Sequence, residues 1–171
     1  MSTDLGLLVL RVFIGLAIAG HGAQKLFGWF GGYGLAGVAG WLGSLGLVPA
    51  RVWALAAAIG ETGGGVLLAL GLLTPLATLP IMAAMALAIG LAHWSKGFWE
   101  RDGGYEYALT MLVVSFALAL IGPGRYSLDG ILGLVLPEWI FPLGLVCVAA
   151  VVGYGLFLHK QLIPSPQPES S

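Results

Sequence analysis

The feature that most constrains the fold is an apolar stretch, residues 52–73, with one acidic residue near its middle. It reads VWALAAAIGETGGGVLLALGLL, and at about 1.5 Å per residue it is long enough to cross the roughly 30 Å hydrocarbon layer of a membrane. An ionised Glu61 at that depth is costly unless it is paired, hydrated or protonated. Gly63, Gly64 and Gly65 follow it and allow another backbone or a ligand to approach closely. We therefore expect the rest of the chain to supply a partner for Glu61.

The composition indicates an integral membrane protein. Of 171 residues, 58% are hydrophobic and 9% are charged, whereas a soluble domain carries about 25% charged residues. The net charge of -1 gives no global electrostatic footprint for nucleic acid, so no nucleic-acid partner is predicted. The single cysteine, Cys147, excludes an intrachain disulfide. The N-terminus lacks the positive region of a cleavable signal peptide, so we expect the first apolar segment to be retained.

Hydropathy and breaker residues predict an all-α, polytopic membrane bundle. The predicted spans are residues 5–27, 52–73, 76–94, 107–121 and 139–158. The first four would form a core within residues 1–129, and residues 130–160 would add a loop and a fifth span. We predict an interfacial helix over residues 33–47. Because this segment is rich in glycine, a partly re-entrant loop is the alternative. Residues 161–171 have the composition of a disordered tail.

The distribution of lysine and arginine predicts the orientation. With five spans, one side of the membrane holds Arg125, and the opposite side holds Lys25, Arg51, Lys96, Arg101 and Lys160. The positive-inside rule then places the N-terminus outside and the C-terminus in the cytoplasm. We expect the chain to be a multi-pass protein located in a bacterial inner membrane.

The first span has a polar face that is expected to point into the bundle. Arg11, His21 and Lys25 fall within an arc of roughly 80° at 100° per residue. Counted from opposite ends of their spans, Arg11 and Glu61 differ in depth by about 7 Å, within reach of a guanidinium. We therefore predict a buried Arg11–Glu61 ion pair. The alternative to a functional role is that this pair only fixes helix register.

A second polar group is predicted near the end of the first span. His21, Lys25, His93, Tyr105 and Glu106 lie at similar depth on three spans. Such a group could bind a polar headgroup, relay protons or hold a metal, and interfacial histidines with snorkelling lysines are the alternative. The two histidines lack the local spacing of a metal motif, so no metal site is predicted. Among these residues and Glu61, the candidates for catalysis are Glu61, His21 and His93.

Four motifs in series resemble the DoxX family. They are R-x9-H-G-x2-K-L-F-G from Arg11, G-E-x-G-G-G with L-x2-G-L-L-T-P over 60–75, HWSKGF with GGYE over 93–106, and A-L-x2-I-G-P-G-x2-S-L-D ending at Asp129. The resemblance covers residues 5–129 and implies a compact four-helix membrane fold. Family motif positions here are Arg11, His21, Lys25, Glu61, His93, Tyr105, Glu106 and Asp129. The fifth span and tail depart from the family pattern.

The resemblance implies a redox-associated role. Family members include membrane subunits of thiosulfate:quinone oxidoreductase, of a terminal quinol oxidase, and of complexes linked to oxidative stress. The expected cofactor is a quinone, with none covalently bound, and any enzymatic activity would be that of a quinone-linked oxidoreductase component. The first alternative is a non-catalytic anchor or accessory subunit, and the second is a small-solute or proton carrier. Expected partners are membrane lipid and either a larger complex or further copies of the chain.

Overall fold

The computed structural model describes residues 2–162, and within that range the chain folds into helices with no strand. The helices are α1 (Ser2–Phe27), α2 (Gly34–Ser44), α3 (Ala50–Leu70), α4 (Thr74–Ala88), α5 (Glu106–Ile121), α6 (Leu128–Leu132) and α7 (Ile140–Leu162). The predicted all-α class is confirmed. Gln161 and Leu162 belong to α7 rather than to the predicted tail, and the rest of that tail lies outside the described residues.

Within residues 2–162, four helical stretches are long and apolar enough to cross a membrane. They are Thr3–Phe27, Ala50–Leu70, Thr74–Lys96 and Ile140–Gln161. The third continues α4 through a π-helical turn (Ile89–His93) and a 3-10 turn (Trp94–Lys96). The 16 residues of α5 span only about 24 Å at 1.5 Å per residue. The protein is thus a multi-pass membrane protein, as predicted.

Small residues set the register between α1 and α3, which pack together more extensively than any other pair of described elements. Gly15 meets Ala69, Gly65 meets Ala19, and Gly22 meets Thr62, so the two helices are antiparallel. A Cβ at Gly15 or Gly65 would lie 2.5 Å from the facing backbone. Close backbone approach at small residues is typical of helix association in membranes.

The C-terminal end of α1 and the N-terminal end of α3 therefore lie at the same end of the bundle, which we call the Lys25 side. The opposite end, which we call the Arg125 side, is held together by a cluster of hydrogen bonds. Asp129 at the start of α6 accepts bonds from the backbone N–H groups of Leu73 (2.8 Å) and Thr74 (3.0 Å). Since α4 begins without a side-chain cap of its own, Asp129 supplies that cap from more than 50 residues away.

The last of the four long apolar helices, α7, packs on α4 with additional contacts at the Lys25 side. Gly155 lies against Leu87 and Trp53, and Trp53 stacks on Tyr154 at 6.2 Å between ring centroids. His159 Nδ1 lies 2.7 Å from the Leu45 carbonyl oxygen in the loop after α2. These contacts join α7 to the helices that surround the candidate site described next.

Candidate functional site

The predicted Arg11–Glu61 ion pair is wrong. Arg11 is completely buried at the Arg125 side, where its Nη2 donates to the Tyr126 carbonyl (2.7 Å) and Asp129 is its nearby charge. The α1–α3 register places Glu61 across from α1 residues close to Gly22, about 16 Å along the helix from Arg11. The depth estimate failed because α1 and α3 overlap along nearly their full lengths, with a register that small residues determine.

Lys25 is the partner of Glu61. Its Nζ donates to Glu61 Oε1, joining the end of α1 to the middle of α3. Glu61 is buried because it shares one face of α3 with Ala54, Ala58, Gly65 and Leu68, the spacing of a core-facing helix stripe. Glu61 Oε2 is also buried, and no group among residues 2–162 donates a hydrogen bond to it.

An apolar cavity of about 230 Å³ lies on one side of this pair. It is formed between α2, α3 and the end of α4. Its polar lining residues are Lys25, Glu61 and His93, and the others include Trp41, Trp53, Leu42, Leu47, Leu87 and Leu91. An open groove of about 650 Å³ along α2, the α2 groove, adjoins it and shares Lys25, Val38 and Trp41 with it.

A second cavity of about 240 Å³ lies on the other side of the pair, towards the loop between α4 and α5; its surface is mostly apolar, and we call it the polar cavity because most of the ionisable side chains near Glu61 line it. Its lining residues include His21, Lys25, Glu61, His93, Glu100, Tyr107, Met85 and Ala108. The rings of His21 and Tyr107 lie 5.4 Å apart between centroids. Lys25, Glu61, Ala88 and His93 line both cavities, so the ion pair borders both of them.

His93 is held by the backbone of the loop between α4 and α5. Its Nδ1 lies 2.7 Å from the Gly103 carbonyl oxygen, which can only accept, so Nδ1 carries the hydrogen of this bond. A neutral His93 then has a free lone pair at Nε2. The π-helical turn that ends at His93 shifts this residue relative to a regular helix, and such turns are frequent at functional sites.

The structure gathers part of the predicted site and leaves part of it elsewhere. His21, Lys25, Glu61 and His93 line the polar cavity, whereas Arg11 and Asp129 lie at the Arg125 side. Tyr105 stacks on Trp94 with ring centroids 5.5 Å apart, and Glu106 Oε2 accepts from the Glu100 backbone N–H (3.1 Å). Neither Tyr105 nor Glu106 lines either of the two cavities described above.

Sequence reasoning missed Tyr107, Glu100, Trp41 and Trp53 as lining residues. For Tyr107 a signal existed, since it lies one helical turn or less from the polar loop and faces the same side of α5 as the buried Ala108 and Met111. Glu100 and the tryptophans carried no such signal. Within residues 2–162, no group of three or more histidine, cysteine or acidic side chains is arranged to hold a metal ion.

Fold and site together define a polytopic helical membrane protein with a buried lysine–glutamate pair between two cavities. The chain belongs to the DoxX family, whose sequence model matches residues 6–94. The matched segment contains Arg11, His21, Lys25, Glu61 and His93 and ends at Trp94, so the resemblance over 95–129 stays a prediction. Comparisons with curated proteins and with solved structures give no match.

Proposed function

We propose that this chain is the membrane subunit of a quinone-linked redox system and that the apolar cavity holds the quinone headgroup. The observation that supports the proposal is a completely buried carboxylate, ion-paired to a lysine, in the wall of a cavity whose other lining residues are, except for His93, apolar or aromatic. Ligand sites of small molecules combine apolar walls with a few converging polar groups in this way.

The residues present fit such a group. Lys25 and His93 would contact the carbonyl oxygens of the headgroup, and Trp41 and Trp53 would flank its ring. The cavity volume of about 230 Å³ lies just below the usual range of about 300–1,000 Å³ for ligand pockets. It therefore suits a single ring, and the adjoining α2 groove suits the apolar tail.

A bound quinone supplies reversible electron transfer coupled to proton uptake. The part of this chain would be to bind, orient and exchange protons: the Lys25 ammonium donates a hydrogen bond, and the Glu61 carboxyl holds a proton or a negative charge. Electrons would come from a partner, and the family resemblance suggests one that oxidises thiosulfate or another sulfur compound, or one linked to oxidative stress. Enzymatic activity would then be a property of the complex.

The experiment is a quinone-binding titration on purified protein in lipid nanodiscs. A short-chain quinone should quench tryptophan fluorescence saturably, and Trp53→Phe should remove part of that quenching because Trp53 lines the cavity. Glu61→Gln and Lys25→Met should weaken binding, whereas Glu138→Gln, an exposed residue outside both cavities, should not. Quenching that never saturates, or that is identical in the Glu61 and Glu138 variants, contradicts the proposal.

One observation favours a second candidate function, that of a non-catalytic anchor. Only 6% of the residues in the apolar window of α7 are buried inside the protein, so outside the face that packs on α4 this helix is open to lipid or to another membrane helix. An anchor needs no chemistry at Glu61. A complex that assembles and turns over at an unchanged rate with Glu61→Gln would favour this function over the first.

A further inference from the structure

The two cavities beside the Lys25–Glu61 pair differ in the ionisable residues that line them, and the difference suggests separate tasks. We propose that the polar cavity is a water-filled vestibule through which Glu61 exchanges protons with the aqueous phase at the Lys25 side, with Glu100 at its mouth. The inference concerns the same site as the proposed function. It assigns a route and an additional residue to that site, and it holds whichever ligand the apolar cavity takes.

The size and lining of the polar cavity suit water. A water molecule needs about 30 Å³ and two to four polar partners, so a volume of about 240 Å³ holds several. Imidazole, ammonium, carboxylate and phenol groups line it. Buried polar atoms are almost always hydrogen-bonded to protein or ordered water. Glu61 Oε2 is buried without a donor among residues 2–162, so water in the adjoining cavity is its expected partner.

The side chains that line this cavity differ widely in exposure. Glu100 and His21 are exposed, Tyr107 is of intermediate exposure, Lys25 is 31% exposed, and Glu61 is 0% exposed. Polar side chains thus line the cavity between the exposed loop residue Glu100 and the buried carboxylate of Glu61. The apolar cavity adjoins the α2 groove, but beyond the residues that it shares with the polar cavity its own walls are aliphatic and indole side chains.

The ionisable groups around Glu61 come from each element that lines the polar cavity. They are His21 and Lys25 on α1, His93 at the end of α4, Glu100 in the following loop, and Tyr107 on α5. From α2, the lining residues of the apolar cavity are Val38, Trp41 and Leu42, none of which titrates. Lys25 and His93 line both cavities, whereas the other titratable groups beside Glu61, namely His21, Glu100 and Tyr107, line the polar cavity alone.

The test measures water access and uses no quinone, so its failure is distinguishable from a failure of quinone binding. In a Cys147→Ala background, Ala108→Cys places a thiol in the polar cavity and Ala57→Cys places one in the apolar cavity. The probe is the silver ion, which is small and enters apolar space poorly. Protected thiols are counted after denaturation by maleimide labelling and mass spectrometry, in spheroplasts and in inverted vesicles.

We expect Ag⁺ to reach Ala108→Cys at least about tenfold faster than Ala57→Cys, and from one face of the membrane only, because burying an ion in apolar surroundings is costly. Met85→Cys, which also lines only the polar cavity, is the second probe if Ala108→Cys folds poorly. Equal rates for the two cavities, or equal access from both faces, would overturn the vestibule.

The role of Glu100 has its own readout in the same assay. Glu100→Gln should slow the reaction of Ag⁺ with Ala108→Cys by about threefold to tenfold, because a negative charge at the mouth concentrates cations. Asp102→Asn removes the same charge from the same loop at a residue that is 58% exposed and lines neither cavity, and it should change the rate by less than about twofold. Equal effects of the two variants would remove Glu100 from the route.

Discussion

Lys25 and Glu61 form an ion pair whose two members differ sharply in exposure. The lysine side chain is 31% exposed, and the glutamate side chain is 0% exposed. Lys25 can therefore exchange its contacts with water or a ligand, whereas Glu61 depends on what the protein and its cavities provide. Within residues 2–162, Lys25 is the only protein group that contacts the Glu61 carboxylate by a hydrogen bond.

Removing Lys25 alone should destabilise the protein more than removing both members of the pair. Lys25→Met leaves a buried carboxylate without its cation, which typically costs about 3–5 kcal/mol. The double variant Lys25→Met/Glu61→Gln leaves no buried charge and should recover most of that loss. The measurement is the thermal unfolding midpoint in detergent micelles.

Lys160→Met, at an exposed residue near the end of α7, is the control for loss of a lysine. A double variant as unstable as the sum of its single variants would contradict this account of the pair.

The α1–α3 contact predicts that alanine substitutions at two neighbouring glycines, Gly20 and Gly22, have different effects on the thermal unfolding midpoint. Gly22→Ala would push a methyl group into Thr62, whereas a Cβ at Gly20 would have no atom of another described element within 4 Å. Overpacking costs about 1–3 kcal/mol, and alanine gains up to about 1 kcal/mol over glycine in a helix. Gly22→Ala should lower the midpoint, and Gly20→Ala should leave it unchanged or raise it. Equal shifts would contradict this register.

Asp129→Asn should loosen the Arg125 side. The carboxylate accepts three hydrogen bonds from the start of α4, two from backbone N–H groups and one from the Thr74 hydroxyl at 3.2 Å, and its charge faces Arg11. An amide has one acceptor oxygen in place of two, so we expect a loss of about 1–3 kcal/mol. Amide hydrogen exchange at Leu73 and Thr74 should accelerate. Exchange as slow as in the wild type would show that the cap is dispensable.

The spans were predictable from sequence because a membrane imposes a length and a hydropathy on each crossing. The predicted second span, 52–73, includes the turn at Gly71, where the backbone has φ 63° and ends α3 at Leu70. The sequence contains a glycine there, but a chain with 28 glycines does not indicate which one ends a helix. The fold class can therefore be predicted from length and hydropathy, whereas the residue at which each helix ends depends on local backbone conformation and hydrogen bonds.

The pairing of charges was not predictable from sequence. Arg11 and Glu61 were matched by depth alone, and their true partners depend on which small residues of α1 and α3 face each other. Likewise, Asp129 caps α4 only because α6 folds back onto the turn between α3 and α4. His21, Lys25 and His93 were correctly grouped, because each lies at the end of a span on the same side of the bundle.

The two nitrogens of His93 should have separable tasks. Asparagine can supply a donor where Nδ1 meets the Gly103 carbonyl, and glutamine reaches further, towards the position of Nε2. His93→Asn should therefore keep the thermal midpoint near the wild-type value and weaken quinone binding, whereas His93→Gln should lower the midpoint and keep more of the binding. Midpoint and fluorescence titration are measured on the same nanodisc samples, with His159→Asn as the control. That residue bonds the Leu45 carbonyl in the same manner, and it lines neither cavity. If His93→Asn binds quinone as well as the wild type does, His93 acts only by anchoring the loop, and Lys25 is the remaining donor to the ligand.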